Sequence, residues 1–256
     1  MHAPVSELPN ITADILARLR AGSPRVHCIT NAVAQAFTAN VLLAAGALPS
    51  MTIAPEEVGD FVSRSNALLV NLGTFDAMRR TAAEIAIEAA NERSLPWVLD
   101  PVFVDRSEPR AVYAKELVAR APKAIRLNRA EFIALAGVES EAGALAAYAR
   151  EQGTVIGLTG AIDLVADDAR LAAIANGHPL MARVTALGCA ASALAAACLA
   201  VERDAWCASA AALLVIGVAG ELAAARARGP GSFAVEILDA LYGLDRDTLI
   251  AHAKVS

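Results

Sequence analysis

The sequence lacks the surplus of basic residues that binding to a nucleic acid requires. Its 256 residues include 22 Lys and Arg against 27 Asp and Glu, which gives a formal net charge of −5 and a pI near 5.4. A protein that neutralises phosphates along a nucleic acid presents a basic face. The charge balance therefore argues against a nucleic-acid partner.

Paired cysteines of the kind that hold metal ions are also absent. The four cysteines are Cys28, Cys189, Cys198 and Cys207, and they form no CxxC pair and no Cys/His ligand spacing. Free thiols in a chain of this length are typical of a reducing compartment. Residues 1–10 have neither the basic nor the apolar region of a signal peptide. We therefore expect a cytoplasmic protein.

Charged residues are scarce, at 19% of the chain, whereas apolar residues make up 56%. Disorder requires low hydrophobicity and high net charge, so this composition excludes it. Two uncharged runs, 184–201 and 205–220, resemble membrane spans, but the first consists mostly of small residues and the second is shorter than the ~20 residues that a span needs. We interpret both as buried helices and expect no membrane contact. The apolar excess favours an oligomer.

Short apolar runs alternate with longer helical patterns along the chain. The predicted strands cover residues 26–29, 50–53, 67–71, 97–99, 124–127, 155–158, 164–166 and 170–174. This alternation favours an α/β fold, with a mainly parallel central sheet and helices on both faces. The last two strands differ, because Asp167 and Asp168 predict the turn of a hairpin at the sheet edge. No segment resembles a linker, so we expect a single domain over residues 1–256.

Polar residues or glycine follow four of the predicted strands. They are Thr30-Asn31, Gly73-Thr74, Asp100-Pro101, and Asn128 with Glu131 one helical turn later. In an open parallel sheet, ligands bind beyond the carboxyl ends of the strands. Each of these residues taken singly also suits a helix N-cap. Four such strand ends together favour a binding site.

The two carboxylates at these strand ends, Asp100 and Glu131, predict a magnesium site. Mg²⁺ usually takes only one or two protein carboxylates and keeps several waters. The spacing from Asn128 to Glu131 is equally that of a capping box at a helix start. The spacing alone does not decide between the two interpretations.

A third element of the candidate site is the segment 185–189, which precedes a long apolar helix. The first-turn N–H groups of that helix are free to bind an anion. A thiol at this position is expected to have a lowered pKa, so Cys189 is the one cysteine for which the sequence predicts a chemical role. A packed, unreactive thiol is the alternative. No Walker loop, GxGxxG or GxSxG motif is present.

Eight stretches of this chain resemble the hydroxyethylthiazole kinase family, the thiazole-salvage enzymes of thiamine biosynthesis in the ribokinase-like superfamily. They are VHCITN at 26–31, APEEV at 54–58, VNLGT at 70–74, VLDPV at 98–102, RLNRAE at 126–131, LTGAID at 158–163, NGHPLM at 176–181 and GPGSF at 229–233. They occur in family order over nearly the whole chain. Together they are highly specific, although no single one is.

The resemblance implies an ATP- and Mg²⁺-dependent kinase for the primary hydroxyl of 4-methyl-5-(2-hydroxyethyl)thiazole. It also implies a homotrimer with active sites between subunits. The implied thiazole contacts are Asn31, Met51, Gly73 and Ala186, and the implied ATP contacts are Arg126 and Thr159. The resemblance also implies that Asp100 and Glu131 are the acidic residues around Mg²⁺. Cys189 takes the position at which sugar kinases of the superfamily carry an Asp base.

One departure from the family pattern concerns substrate contact. Ala186 stands where the family usually has glycine, and its methyl group would crowd the thiazole or the phosphate. Two alternatives therefore stay open: another small-alcohol vitamin kinase of the same superfamily, or a nucleotide-binding homologue that has lost catalysis. The Asn31, Met51 and Gly73 set argues against the first. The retained Asp100, Glu131, Arg126 and Cys189 argue against the second.

Overall fold

Eight strands form one sheet in the computed structural model, which describes residues 4–256. Residues 1–3, part of the N-terminal stretch without a signal-peptide pattern, lie outside the described residues. The strands are β1 (Arg25–Ile29), β2 (Leu48–Ser50), β3 (Ala67–Asn71), β4 (Trp97–Asp100), β5 (Ala124–Asn128), β6 (Val155–Thr159), β7 (Asp163–Ala166) and β8 (Leu171–Ile174). Their order in the sheet is β2-β1-β3-β4-β5-β6-β7-β8.

The first six strands of this order run parallel, and β7 and β8 form an antiparallel hairpin at one edge. The predicted hairpin with its turn at Asp167 and Asp168 is therefore confirmed. The strand predicted at 50–53 is wrong, because β2 ends at Ser50. Beyond Ser50, the chain leaves the sheet edge as a loop whose Thr52 carbonyl bonds to a buried histidine of β1.

Eleven α-helices of the described chain cover both faces of the sheet, as the alternating pattern predicts. They are α1 (Leu8–Gly22), α2 (Gln35–Ala45), α3 (Val58–Ser63), α4 (Ala77–Glu92), α5 (Glu108–Val118), α6 (Arg129–Ala136), α7 (Ala142–Gln152), α8 (Leu187–Val201), α9 (Ala205–Arg226), α10 (Pro230–Gly243) and α11 (Arg246–His252). Buried side chains of α1, α2 and α8–α11 form the core on one face, and those of α3–α7 form the core on the other.

Both uncharged runs are buried helices, in agreement with the sequence interpretation. Helix α9 is long and apolar enough to cross a membrane by length and composition, but 83% of its apolar window is buried inside the fold. Helix α8 is buried from Ala190 to Leu199 and packs beneath β1, β3 and β4. Its many alanines allow this close approach, because small side chains leave little bulk between helix and sheet.

Candidate active site

The register of the sheet brings the predicted site residues together at the carboxyl ends of the parallel strands. Asn71 at the end of β3 lies opposite Asp100 at the end of β4. Asn128 at the end of β5 lies opposite Thr159 at the end of β6. Since ligands bind at this edge of an open parallel sheet, the candidate site is where the sequence predicts it.

A chain of hydrogen bonds joins four elements at this edge. The Asn31 amide donates to Asn71 Oδ1 at 3.2 Å and contacts Cys189 Sγ at 3.2 Å. The Asn71 amide donates in turn to Asp100 Oδ2 at 2.7 Å, and the Ser192 hydroxyl donates to the same oxygen at 2.8 Å. The loop after β1, the ends of β3 and β4 and the first turns of α8 are therefore held in one arrangement.

The Asp100 carboxyl is almost fully buried, and this burial raises its pKa to about 6. The positive charge of Arg126 and the hydrogen bonds from Ser192 and Asn71 oppose that shift, and Glu131 adds to it. Within residues 4–256, the hydrogen bonds to the side-chain carboxyl group of Asp100 end on Oδ2, so Oδ1 is left for a ligand.

The predicted lowering of the Cys189 pKa is wrong. Burial, together with the neighbouring Asp100 carboxylate, raises the pKa of this thiol to about 11. Cys189 is the third residue of α8, so the helix dipole favours a thiolate there. Loss of water around the sulfur and the adjacent acid outweigh that field. The side chain is thus a protonated thiol at neutral pH.

Glu131 forms the capping box that was one of its two predicted roles. Its Oε2 accepts the Asn128 N–H at 2.9 Å, and Asn128 Oδ1 accepts the Glu131 N–H at 3.0 Å. Its Oε1 accepts the N–H of Phe103, a residue with a left-handed backbone (φ 64°). Glu131 therefore joins the start of α6 to the loop that follows Asp100.

The described residues contain no cluster of three or more His, Cys, Asp or Glu side chains suited to a metal ion. The pair of Asp100 and Glu131 matches the smaller ligand set that Mg²⁺ takes from proteins, since this ion keeps several waters. The two acids lie close enough for Glu131 to raise the pKa of Asp100.

A cavity of about 610 Å³ opens beside the network, between the ends of β5 and β6 and helices α8 and α9. Arg126, Thr159 and Gly188 line it. The Arg126 Nε atom is buried and has no hydrogen-bond partner among the described residues. A buried unpaired donor is costly, so this guanidinium is suited to an anionic ligand.

Ala186 precedes α8 with a left-handed backbone (φ 70°), and its side chain caps nothing within the described chain. For a residue with a Cβ atom, this conformation costs roughly 1–2 kcal/mol. It directs the chain so that the first N–H groups of α8 lie at the helix start beside Gly188, where they are available to an anion.

The two other predicted thiazole contacts, Gly73 and Met51, lie on separate loops. Gly73 donates its N–H to Asn71 Oδ1 at 2.9 Å, and a Cβ atom at this position would lie 2.6 Å from the Asn31 amide nitrogen. Only glycine allows Asn31 to pack there. Met51 lies in the loop after β2, beside the outer edge of the sheet.

Three site residues escaped the sequence analysis: Asn71, Ser192 and His27. Asn71 was the last residue of a predicted strand, and that position was the available signal. Ser192 follows Cys189 by three residues, which places both on one side of α8. His27 lies fully buried in β1, and its ring bonds to Ser50 Oγ at 2.8 Å and to the Thr52 carbonyl at 3.0 Å. These bonds hold the loop on both sides of Met51.

The fold of this chain is ribokinase-like. A ribokinase-like superfamily protein from Enterococcus faecalis V583 superimposes with a TM-score of 0.69 at 14% identity, covering 91% of this chain and 95% of that one. At such low identity, the likeness concerns the fold alone.

Sequence relatives identify the family. The profile of the hydroxyethylthiazole kinase family matches residues 16–247. A hydroxyethylthiazole kinase from Granulibacter bethesdensis is 47% identical over 247 residues, or 91% of this chain and 90% of the relative. The structure of a hydroxyethylthiazole kinase protein from Pyrococcus horikoshii OT3 gives a TM-score of 0.92 at 38% identity, covering 96% and 98% of the two chains. This chain belongs to the hydroxyethylthiazole kinase family, as its motifs predict.

Proposed function

We propose that this protein transfers the γ-phosphoryl group of ATP to the primary hydroxyl of 4-methyl-5-(2-hydroxyethyl)thiazole, which yields the thiazole phosphate used in thiamine synthesis. Family membership supports a kinase with an alcohol acceptor. One observation carries the assignment: the Asn31–Asn71–Asp100 network and Cys189 lie beside the cavity that contains the unpaired Arg126 guanidinium.

The nucleotide occupies the 610 Å³ cavity in this proposal. Arg126 binds its phosphates, because its guanidinium lines the cavity and its buried Nε–H has no partner among the described residues. Thr159 lies at the end of β6 and lines the same cavity, so it is placed to contact the nucleotide. The N–H groups at the start of α8 and the Arg126 guanidinium stabilise the charge that develops on the transferred group.

The thiazole alcohol lies on the other side of Cys189, against Asn31, Gly73 and Met51. In a loose phosphoryl-transfer transition state, the acceptor proton leaves late, so a strong base is not required, and the proton passes to an oxygen of the transferred phosphoryl group or to water. As a protonated thiol, Cys189 orients the acceptor hydroxyl by hydrogen bonding. The Asn31 amide fixes the position of the sulfur.

Asp100 and Glu131 hold Mg²⁺ in this proposal, directly or through its waters. The free Oδ1 of Asp100 and the oxygen-only donor set fit this ion. Bound Mg²⁺ neutralises negative charge on the phosphates of ATP. Asn71 and Ser192 keep the Asp100 carboxylate oriented toward the site.

The protein assembles as a homotrimer with active sites between subunits in this proposal. Strand β2 is first in the sheet order, and the exposed apolar side chains of Leu43, Leu48 and Phe61 lie on β2 and its neighbouring helices. An uncovered sheet edge and apolar surface of this kind favour association. Met51 follows β2 directly, so a partner at this edge would lie beside the thiazole site. A fully active monomer in sedimentation at assay concentration would contradict the trimer.

The proposal further treats residues 1–256 as one kinase domain that acts in the cytoplasm. The two core layers on either side of a single sheet support one domain. Burial of most of the apolar window of α9 favours a core helix over a membrane span.

Coupled measurement of ADP release tests the function. We expect release that depends on 4-methyl-5-(2-hydroxyethyl)thiazole and on Mg²⁺, and none above background with 4,5-dimethylthiazole, which lacks the hydroxyl group. Pyridoxal and 4-amino-5-hydroxymethyl-2-methylpyrimidine test the vitamin-kinase alternative. Turnover of either in preference to the thiazole alcohol would overturn the substrate assignment. ATP binding without turnover of any acceptor would favour a homologue that has lost catalysis.

A further inference from the structure

The loop 176–181 forms one wall of the cavity assigned to the nucleotide. Five of its residues line that cavity: Asn176, Gly177, His178, Pro179 and Met181. The position of this loop therefore determines the shape of the cavity on the side of α9.

Helix α9 packs so closely against the loop 176–181 that two of its glycines leave no room for a side chain. A Cβ atom at Gly217 would lie 2.9 Å from Asn176, and one at Gly220 would lie 2.6 Å from the sulfur of Met181. Residues three apart lie on one face of a helix, so these two glycines form a surface without side chains against which the loop packs.

The base of the loop is bound to the segment 252–256, which begins at the last residue of α11. The Asn176 amide donates to the His252 carbonyl at 2.8 Å, and its Oδ1 accepts the Lys254 N–H at 2.8 Å. Asn176 is buried, and both its amide nitrogen and its amide oxygen bond to this segment. The segment also pairs with the strand edge, where Ser256 and Ala173 exchange two backbone hydrogen bonds.

Glu221 of α9 joins the loop to the same segment. Its Oε1 accepts the Gly177 N–H at 3.0 Å and the Asn176 amide at 3.2 Å, and both of its oxygens contact Lys254 Nζ at 2.9 Å. The N–H of Gly177 and the charge of Lys254 lower the pKa of Glu221 against the effect of burial. The carboxylate is thus ionised and is shared between cavity wall and segment.

We propose that Glu221 and Lys254 are positioning residues for nucleotide binding: they clamp the loop 176–181 against α9 and so hold the cavity wall in its binding shape. The inference rests on the assignment of this cavity to ATP. Loss of the contacts between Glu221, Lys254 and the loop should affect nucleotide binding alone, since the proposed thiazole contacts lie on other loops.

Steady-state kinetics of Lys254→Met and Glu221→Gln test the clamp. Loss of a hydrogen-bonded ion pair of this kind changes an equilibrium about fivefold. We expect KM for ATP, and the dissociation constant for ADP measured by calorimetry, to rise about that much. KM for the thiazole alcohol and kcat should stay within about twofold. Lys254→Arg should restore nucleotide affinity, because it keeps the charge.

Lys115→Met provides the matched control, because Lys115 is an exposed lysine of α5 on the opposite face of the sheet. Unchanged nucleotide affinity in both clamp variants would overturn the inference. Arg126→Ala distinguishes this failure from failure of the proposed function. If Arg126→Ala weakens ADP binding and the clamp variants do not, only the clamp is wrong. If Arg126→Ala leaves ADP binding unchanged, the nucleotide assignment is wrong as well.

Discussion

Asn71 and Asp100 lie directly opposite one another on β3 and β4, and the Asn71 amide donates to the Asp100 carboxylate at 2.7 Å. The same amide group accepts hydrogen bonds from Asn31 and from the Gly73 N–H through its oxygen. Asn71 thus links the acid expected to hold Mg²⁺ to the loops expected to hold the thiazole alcohol. In the proposed function, this side chain therefore helps to set the relative placement of the two substrates.

Replacement of Asn71 by Ala should therefore lower kcat/KM by ~10- to 100-fold, because a misplaced reacting group is costly even at small displacements. It should also destabilise the fold by ~1–3 kcal/mol, because it removes a partner of a buried carboxyl. Steady-state kinetics and urea denaturation measure the two effects. Asn66→Ala removes an exposed amide from the other end of the same strand and should leave kcat/KM unchanged. Equal activity of both variants would contradict the role of Asn71.

Substitution of Asp100 by Asn should abolish Mg²⁺-dependent turnover while the protein remains folded. An amide keeps the shape of the carboxyl group but loses the charge that Mg²⁺ requires. Titration of Mg²⁺ at saturating ATP, with far-UV circular dichroism as the folding control, measures this. Wild-type dependence on Mg²⁺ in the variant would show that Asp100 has no metal role.

Removal of the Cys189 thiol should slow turnover substantially without abolishing it, because orientation of the acceptor hydroxyl is lost while phosphate binding remains. Because Cys189 orients the hydroxyl and does not take its proton, the loss should be smaller than the ~10²- to 10⁴-fold that a proton-transfer group typically contributes. Cys189→Asp should remain active, since a carboxylate can accept the hydrogen bond of the acceptor hydroxyl. Because the thiol pKa is about 11, iodoacetamide should modify Cys189 slowly at neutral pH.

Cys189→Ser identifies the modified site in that labelling experiment. Wild-type turnover in Cys189→Ala would show that the thiol only packs against its neighbours. Loss of ADP binding in Cys189→Ala would instead assign the residue to the structure of the anion site.

The buried imidazole of His27 should make stability fall with acidity. Burial lowers its pKa from 6.5 to about 4, although the Thr52 carbonyl and Glu57 oppose this. Above pH 6.5 the ring is neutral in the folded and unfolded states. As the pH falls from 6.5 toward 4, the unfolded chain takes up this proton first, so the contribution of His27 to folding stability falls by about 3 kcal/mol. The raised pKa of Asp100 acts in the opposite direction over the same range, so the effect of His27 is read from the difference between wild type and a His27 variant.

Urea denaturation of wild type and His27→Gln between pH 4 and 8 measures this dependence. The variant should be less stable at pH 7.5 but should lose less stability on acidification. If the free energy of unfolding changed equally with pH in wild type and His27→Gln, the assignment to His27 would be contradicted.

Ala186→Gly should stabilise the protein by ~0.5–1 kcal/mol, because glycine adopts the left-handed conformation without the cost of a Cβ atom. It should also lower KM for the thiazole alcohol if the methyl group crowds the substrate. Ala121 has the same kind of backbone (φ 60°) and lies away from the site, so Ala121→Gly should stabilise the fold without changing KM. An unchanged KM in Ala186→Gly would show that the methyl group is tolerated.

Much of the architecture was predictable from the sequence, because the signals are local. Apolar runs of four or five residues separated by helical patterns predict parallel units, and the observed strands agree with most of the predicted ones within one or two residues. The hairpin at Asp167 and Asp168 and the two buried apolar helices were predictable for the same reason. Polar residues at strand ends predicted the position of the candidate site, since parallel strands end at a common edge.

Only the tertiary structure decided what those residues do to one another. The sequence places Cys189 at a helix start, but burial and Asp100 determine the direction of its pKa shift. It places Asn71 in a strand, but sheet register sets its partner 29 residues away. The bond between Asn176 and Lys254 spans 78 residues, and no local pattern encodes such a distance. Local propensity thus determined the elements, whereas burial, register and contacts between distant segments determined the chemistry.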